Sequence, residues 1–525
     1  MKRILSLLAG LSLIGGSLTA GSSQSSANVQ PAELRSFQSE LGLSLSDSGK
    51  LESVSRLSEI HRPPGAVYAD TVLCSTDETD ACDFGVIPVG GFLVLPPCDG
   101  QGQENCIESL AISSSGGPFF PARLEAKLAG PRVAAMPNIG LPEGGTTTIW
   151  SITEPESGLK TSLAVTASVN VFTFHKDKGR VGLGRLSVQV TPFAEKQGSF
   201  STPRVFQINR DKPDAATGTT QALGISGTNA RCIWTQEGRC GERRDFSEGT
   251  AVRLVIRASS EIGGWFSGRM KEASISVEKH AQNSNRITVQ GEAVSVPRLA
   301  FTAPTEGADP ALVAAIKRFN PLWNGQGMVE HSTQVNPLNK TALVLLEASK
   351  KTLNDTATSS ETVWNFSAAG FGRHKCLSDN SKVLGMVTTN AMLYQGGAPV
   401  FANSSLDYMV GGLHFSPDGV TKAFGTYELI MRSEVARCLY GFSKAPLSGT
   451  VTISGEGDKN IATTIVSEKN GWLKLAAYGF TFSEKTIKVK LTQKKQATIT
   501  CVAPGKKSKK VTAANPKCPK GYKKR

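Results

Sequence analysis

The sequence predicts a mainly β protein: two or more antiparallel β-sandwich-like domains, with short helical segments near the N-terminus and around 309–319. Three observations point there. From about residue 66 onward apolar residues alternate at period two, as half-buried strands require. Glycine is abundant, 53 in 525 residues, while aromatic residues make up only 7%, which suits short strands joined by turns. Hairpin dipeptides recur, among them Asp418-Gly419 and Asn470-Gly471.

Residues 1–27 read as a signal peptide. Lys2 and Arg3 form a basic start, and residues 4–18 an apolar core interrupted only by Ser and Gly. Cleavage fits after Ala20 or Ala27, and the small Ser25 and Ala27 favour the second. The apolar core is shorter than the ~20 residues a membrane span needs, and no later segment qualifies.

Residues 28–64 have a helical pattern. Pro31 opens it, Leu34, Phe37 and Leu41 share one face, and Leu51, Val54 and Leu57 form a second stripe ended by Pro63-Pro64-Gly65. Residues 65–300 form a β-rich region of one or two sandwiches. Its expected strands are 66–74, 86–95, 161–175, 183–192, 251–258, 273–278 and 286–296. In the third, Leu163, Val165, Ala167, Val169 and Val171 alternate with mostly polar neighbours.

Residues 301–370 form a mixed, helical connector. Asp309-Pro310 starts a helix reaching Phe319. Residues 341–346 fit strand or helix, and the Thr-, Ser-, Asn- and Ala-rich 352–370 reads as a linker or a loosely helical connector. Residues 371–492 form a second sandwich-like domain, with strands expected at 382–389, 425–431, 449–454, 473–478 and 486–491. Residues 493–525 form a basic, disulfide-closed tail.

The ten cysteines are Cys74, Cys82, Cys98, Cys106, Cys232, Cys240, Cys376, Cys438, Cys501 and Cys518. Three neighbouring pairs share a spacing of eight. An even count, with no CxxC and no zinc-like spacing, predicts disulfides and an oxidising compartment. Pairing of neighbours and a crossed Cys74–Cys98, Cys82–Cys106 arrangement both fit a hairpin.

The formal net charge of +14 is confined to one end. Residues 485–525 hold fourteen basic residues and no Asp or Glu, while the other 484 residues hold equal numbers of each sign. The bulk pI of 9.3 therefore describes a tail on a neutral body. The expected polyanion-binding residues are Lys506, Lys507, Lys509, Lys510, Lys517, Lys520, Lys523, Lys524 and Arg525. Lysine favours diffuse attraction over bidentate phosphate recognition. The lone aromatic of this segment, Tyr522, is too little for base stacking, so nucleic acid is disfavoured as a partner.

Catalytic and cofactor signatures are missing. Walker A, GxGxxG, HExxH and GxSxG do not occur. S-x-x-K occurs at Ser157–Lys160 and Ser276–Lys279 without K-T-G. His374 stands two residues before Cys376 in a weakly ligand-like position. Asp77, Asp80 and Asp83 surround Cys82 and suggest a calcium loop, although their spacing is not that of an EF-hand. No catalytic residue and no cofactor is assigned.

The C-terminal run Ala497-Thr-Ile-Thr-Cys501, the lysines 506–510 and Asn515-Pro-Lys-Cys518-Pro-Lys-Gly-Tyr-Lys resemble the basic two-cysteine ending of secreted actinobacterial proteins. Residues 387–392, 436–441 and Gly471-Trp472 are similar to the same group. The resemblance implies an exported envelope or extracellular protein and carries no activity.

The expectation is a secreted, envelope-associated binding or structural protein whose cationic tail contacts anionic surface polymer. The alternative is a secreted hydrolase of polysaccharide or peptide, with the tail as a tether.

Overall fold

The computed structural model describes residues 40–525 apart from 48–52, 63–67, 76–81, 154–157, 159, 174–178, 213–217, 230, 321–322, 339, 371, 443–446, 455–462, 483–484, 494–496 and 514–515. The proposed signal peptide and cleavage sites lie outside these residues. The chain is mainly β, with several antiparallel sheets. Strands expected from alternation form close to their predicted positions, at Val89–Val94, Lys160–Thr173, Val181–Gln197, Ala251–Ser259, Val383–Thr389, Phe424–Arg432 and Trp472–Thr481.

One 18-stranded sheet runs through most of the molecule. A five-stranded sheet covers part of it, with Leu254, Ile256, Ile287 and Val289 packing toward Val165, Val169, Val188 and Phe366 in one core. A six-stranded sheet covers another part, with Tyr408, Ile487 and Val489 packing toward Tyr427, Leu429 and Leu475. A third core holds the helices Pro310–Phe319 and Thr341–Leu353 against Leu41, Leu43, Leu45 and Phe301. The first of these helices begins as predicted, with the Asp309 carboxylate accepting from the Ala311 amide at 2.8 Å and Pro310 in the first turn.

Two expectations need correction. Residues 40–46 and 56–61 are strands, not helices. Leu41, Leu43 and Leu45 alternate and are all buried, and this period-two signal outweighs the spacing of Leu41 from Leu34 and Phe37, which lie outside the described residues. Residues 359–370 are no linker. They form the strand Ser359–Gly370, paired along its length with Val181–Gln197, Gly264–Arg269 and Val294–Pro304. The large sheet draws strands from both sides of residue 371, since Gly264–Arg269 pairs in parallel with Val383–Thr389.

All ten cysteines pair: Cys74–Cys82, Cys98–Cys106, Cys232–Cys240, Cys376–Cys438 and Cys501–Cys518. The first three close loops between sequence neighbours, which resolves the crossed alternative. Five disulfides fit an oxidising location. Among the described residues no helix is long and apolar enough to cross a membrane.

Candidate functional site

A cavity of about 670 Å³ lies on one face of the large sheet. Its floor comes from alternation on three neighbouring strands. Along Lys160–Thr173, Leu163, Val165, Ala167 and Val169 enter the core, while Ala164, Thr166 and Ser168 face the cavity. Along Val181–Gln197, Leu186 and Val190 enter the core, while Arg185, Ser187, Gln189 and Thr191 face the cavity. Along Ser359–Gly370, Trp364 and Ala368 enter the core, while Glu361, Val363, Asn365 and Ser367 face the cavity. Register aligns these side chains into rows. Thr166, Gln189 and Asn365 stand opposite one another, and so do Ser168, Ser187 and Ser367.

The walls come from elsewhere in the chain. The hairpin of Cys232–Gln236 and Arg239–Arg243, closed by its own disulfide, supplies Trp234 and Arg243. Val294–Pro304 supplies Arg298, and Gly327–Ser332 supplies Glu330 and His331. Glu330 is exposed, so the cavity reaches solvent on that side.

Asp47 forms part of the wall, and its charge is fully engaged. Arg269, completely buried behind it, donates from Nε and Nη2 at 3.0 Å each. The Thr333 hydroxyl also donates to Asp47, and Asn365 Nδ2 does so at 3.3 Å. Burial alone would raise the Asp47 carboxyl, but the Arg269 guanidinium overcomes it and holds the group well below the usual carboxylate range. Arg269 in turn donates to the carbonyls of Ala391 and Met392 and lies 4.2 Å from the centre of the Tyr394 ring. This carboxylate is a structural partner of Arg269 and carries no net charge into the cavity.

Arg243 and Arg298 are different. Their Nη1 atoms face one oxygen of Glu361, at 3.9 Å and 3.6 Å. Charge-assisted hydrogen bonds are about 2.7–2.9 Å long, so Glu361 offsets charge without occupying the donor forks. Gln189 turns its amide oxygen to Arg243, accepting from Nη1 and Nη2 at 3.1 Å. Burial lowers the Arg243 guanidinium from its ordinary value, with Glu361 opposing and the neighbouring Arg298 adding to the effect. Two guanidinium groups thus share one loosely placed carboxylate.

The C-terminal cations sit on a separate, folded platform. Ala497–Ala503 pairs antiparallel with Lys506–Ala513 on one side and with Lys523–Lys524 on the other. Cys501 is fully buried in its bond to Cys518, and the Arg525 amide donates to the Thr500 carbonyl at 2.8 Å. Lys506, Lys507, Lys509, Lys510, Lys517, Lys520, Lys523, Lys524 and Arg525 are all exposed. Lys509 Nζ lies 5.1 Å from the centre of the Tyr522 ring, which anchors one of them.

Other sequence candidates find simpler roles. His374 Nδ1 accepts from the Cys376 amide at 3.2 Å and caps a short turn at the disulfide. Of the suggested calcium loop, Asp77 and Asp80 lie outside the described residues. Asp83 Oδ1 accepts from the Gly85 amide at 3.1 Å within a tight turn. Among the described residues no cluster of His, Cys, Asp and Glu is arranged to hold a metal.

The cavity residues escaped sequence reading because each is a single polar residue in a long strand, without a motif. Their only signal is the polar half of the alternation, which reads as a solvent face. Comparison with protein-family models, with curated proteins and with solved structures finds no match to this chain.

Proposed function

We propose that this is an exported protein held to anionic surface polymer by its C-terminal cationic sheet, with the β body displayed as a binding module. The observation that carries this reading is the folded platform itself. Nine exposed cations sit on or beside a three-stranded, disulfide-closed sheet in a segment without Asp or Glu. Near an anionic surface each contributes about 1 kcal/mol. Holding them on a sheet limits the ordering cost that a floppy tail would incur on binding. The other 484 residues carry no net formal charge, so attraction is directed through one end.

The test is partitioning of the full-length protein in cells of its own kind. Full-length protein should stay with the cells at low salt and be released by a high-salt wash. A version ending at Thr492 should appear in the medium without the wash, and one with Lys506, Lys507, Lys509 and Lys510 changed to Gln should be released at lower salt. Equal partitioning of all three would overturn the reading.

A further inference from the structure

We infer that the cavity on the large sheet binds a small polyhydroxy carboxylate, such as an acidic sugar, with its carboxylate on Arg243 and Arg298 and its hydroxyls on the Ser187–Gln189 floor. The site is distinct from the C-terminal sheet, and the inference does not depend on that sheet's role.

Size admits such a ligand, since small-molecule sites occupy about 300–1,000 Å³ and this cavity holds about 670 Å³. Charge selects an anion. Asp47 is paired with Arg269, and Arg243 and Arg298 share the loosely placed Glu361 at the inner wall, with Asp245 a further carboxylate near Arg243. A guanidinium carries five N–H donors in a planar fork that matches a carboxylate. Among the described residues none accepts a hydrogen bond from the Arg298 side chain, and Arg243 gives only to Gln189. A ligand carboxylate would fill those donors.

The floor then selects hydroxyls. Ser168, Ser187 and Ser367 form one row, with Gln189 and Asn365 in the next. Hydroxyls and amides both donate and accept, so they satisfy ligand hydroxyls in either sense. Trp234 adds an apolar face at the wall, of the kind on which the C–H surface of a sugar ring packs.

The test is calorimetric titration of the full-length protein with galacturonate, its trimer, galactose and inorganic phosphate. Galacturonate should saturate one site, and galactose, which has a hydroxymethyl group in place of the carboxylate, should bind at least about tenfold more weakly, a difference of about 1.4 kcal/mol. Arg298→Gln should weaken galacturonate by about tenfold while galactose is unchanged, and Arg243→Gln, which also releases Gln189, should weaken galacturonate at least as much, with native circular dichroism as the check on folding. Should either variant fail to fold, Arg298→Lys keeps the charge, loses the fork and should still weaken the acid. Binding of the trimer as well as the monomer would identify the end of an acidic polysaccharide, and exclusion of the trimer a free acid; either fits the inference. Equal binding of galacturonate and galactose, phosphate matching galacturonate, no binding of any acid, or arginine variants with unchanged affinity would each overturn it.

Discussion

Arg269 and Asp47, 222 residues apart in sequence, meet through two hydrogen bonds of 3.0 Å with the arginine side chain wholly buried. The pair fastens the first described strand to the middle of the large sheet and sets the back wall of the cavity. Breaking one side of a buried pair costs about 3–5 kcal/mol, because the other charge is left without compensation. Asp47→Asn and Arg269→Met should each lower stability by that amount at neutral pH in urea titrations.

The same pair fixes a pH dependence. The folded Asp47 carboxyl lies below its ordinary value. Its contribution is therefore present above the unfolded value, about pH 3.9, and is lost as pH falls toward the folded value. The stability gap between wild type and Asp47→Asn should be full at pH 7 and narrow below about pH 4. A gap that widens on acidification would refute this assignment.

Glu428 is fully buried in the strand Phe424–Arg432 and receives Lys474 Nζ at 2.9 Å, the Ala273 amide at 2.8 Å and the Tyr478 hydroxyl. Burial, with the Glu428 carboxylate adding to it, pushes the Tyr478 phenol well above its ordinary value. Glu428→Gln should cost about 3 kcal/mol, and adding Lys474→Met should recover part of the loss. Equilibrium unfolding of the single and double variants checks this.

The disulfides should differ in worth by loop length. Cys376–Cys438 closes 62 residues and Cys74–Cys82 closes eight. Loop-closure entropy assigns about 4 kcal/mol to the first and about 2.5 kcal/mol to the second. Paired Cys→Ala variants, compared by denaturant titration, should show that order.

Gly241 is required by Trp234. A Cβ on Gly241 would stand 2.1 Å from the indole nitrogen. Gly241→Ala should therefore displace Trp234 from the cavity wall and destabilise the hairpin by about 1–3 kcal/mol. Indole fluorescence and the unfolding midpoint together report it.

Much of the fold was legible where local signals agreed. The Asn470-Gly471 pair turns the chain with φ of 50° and 77° between residues aligned as Lys469 and Trp472. The buried set of Lys160–Thr173 follows its apolar residues, and Asp309-Pro310 begins a helix. Ser359–Gly370 was not legible as a strand. Its Ser, Thr and Asn look like a linker, although Asn365 and Ser367 face a polar cavity, and only Trp364, Phe366 and Ala368 reveal the buried side. The cavity itself escaped notice because its walls arrive from strands hundreds of residues apart. The cationic end, by contrast, was plain, since its charges are adjacent in sequence.

The placement of Glu40–Ser46 decides when folding can finish. This strand lies between Val294–Pro304, antiparallel, and Gly327–Ser332, parallel. Neither neighbour exists until most of the chain has been made. A polypeptide emerging N-terminus first must carry Leu41, Leu43 and Leu45 uncovered through that interval, and closure over such distances is slow. These early leucines are sheltered only once Val294–Pro304 and Gly327–Ser332 arrive from the middle of the chain.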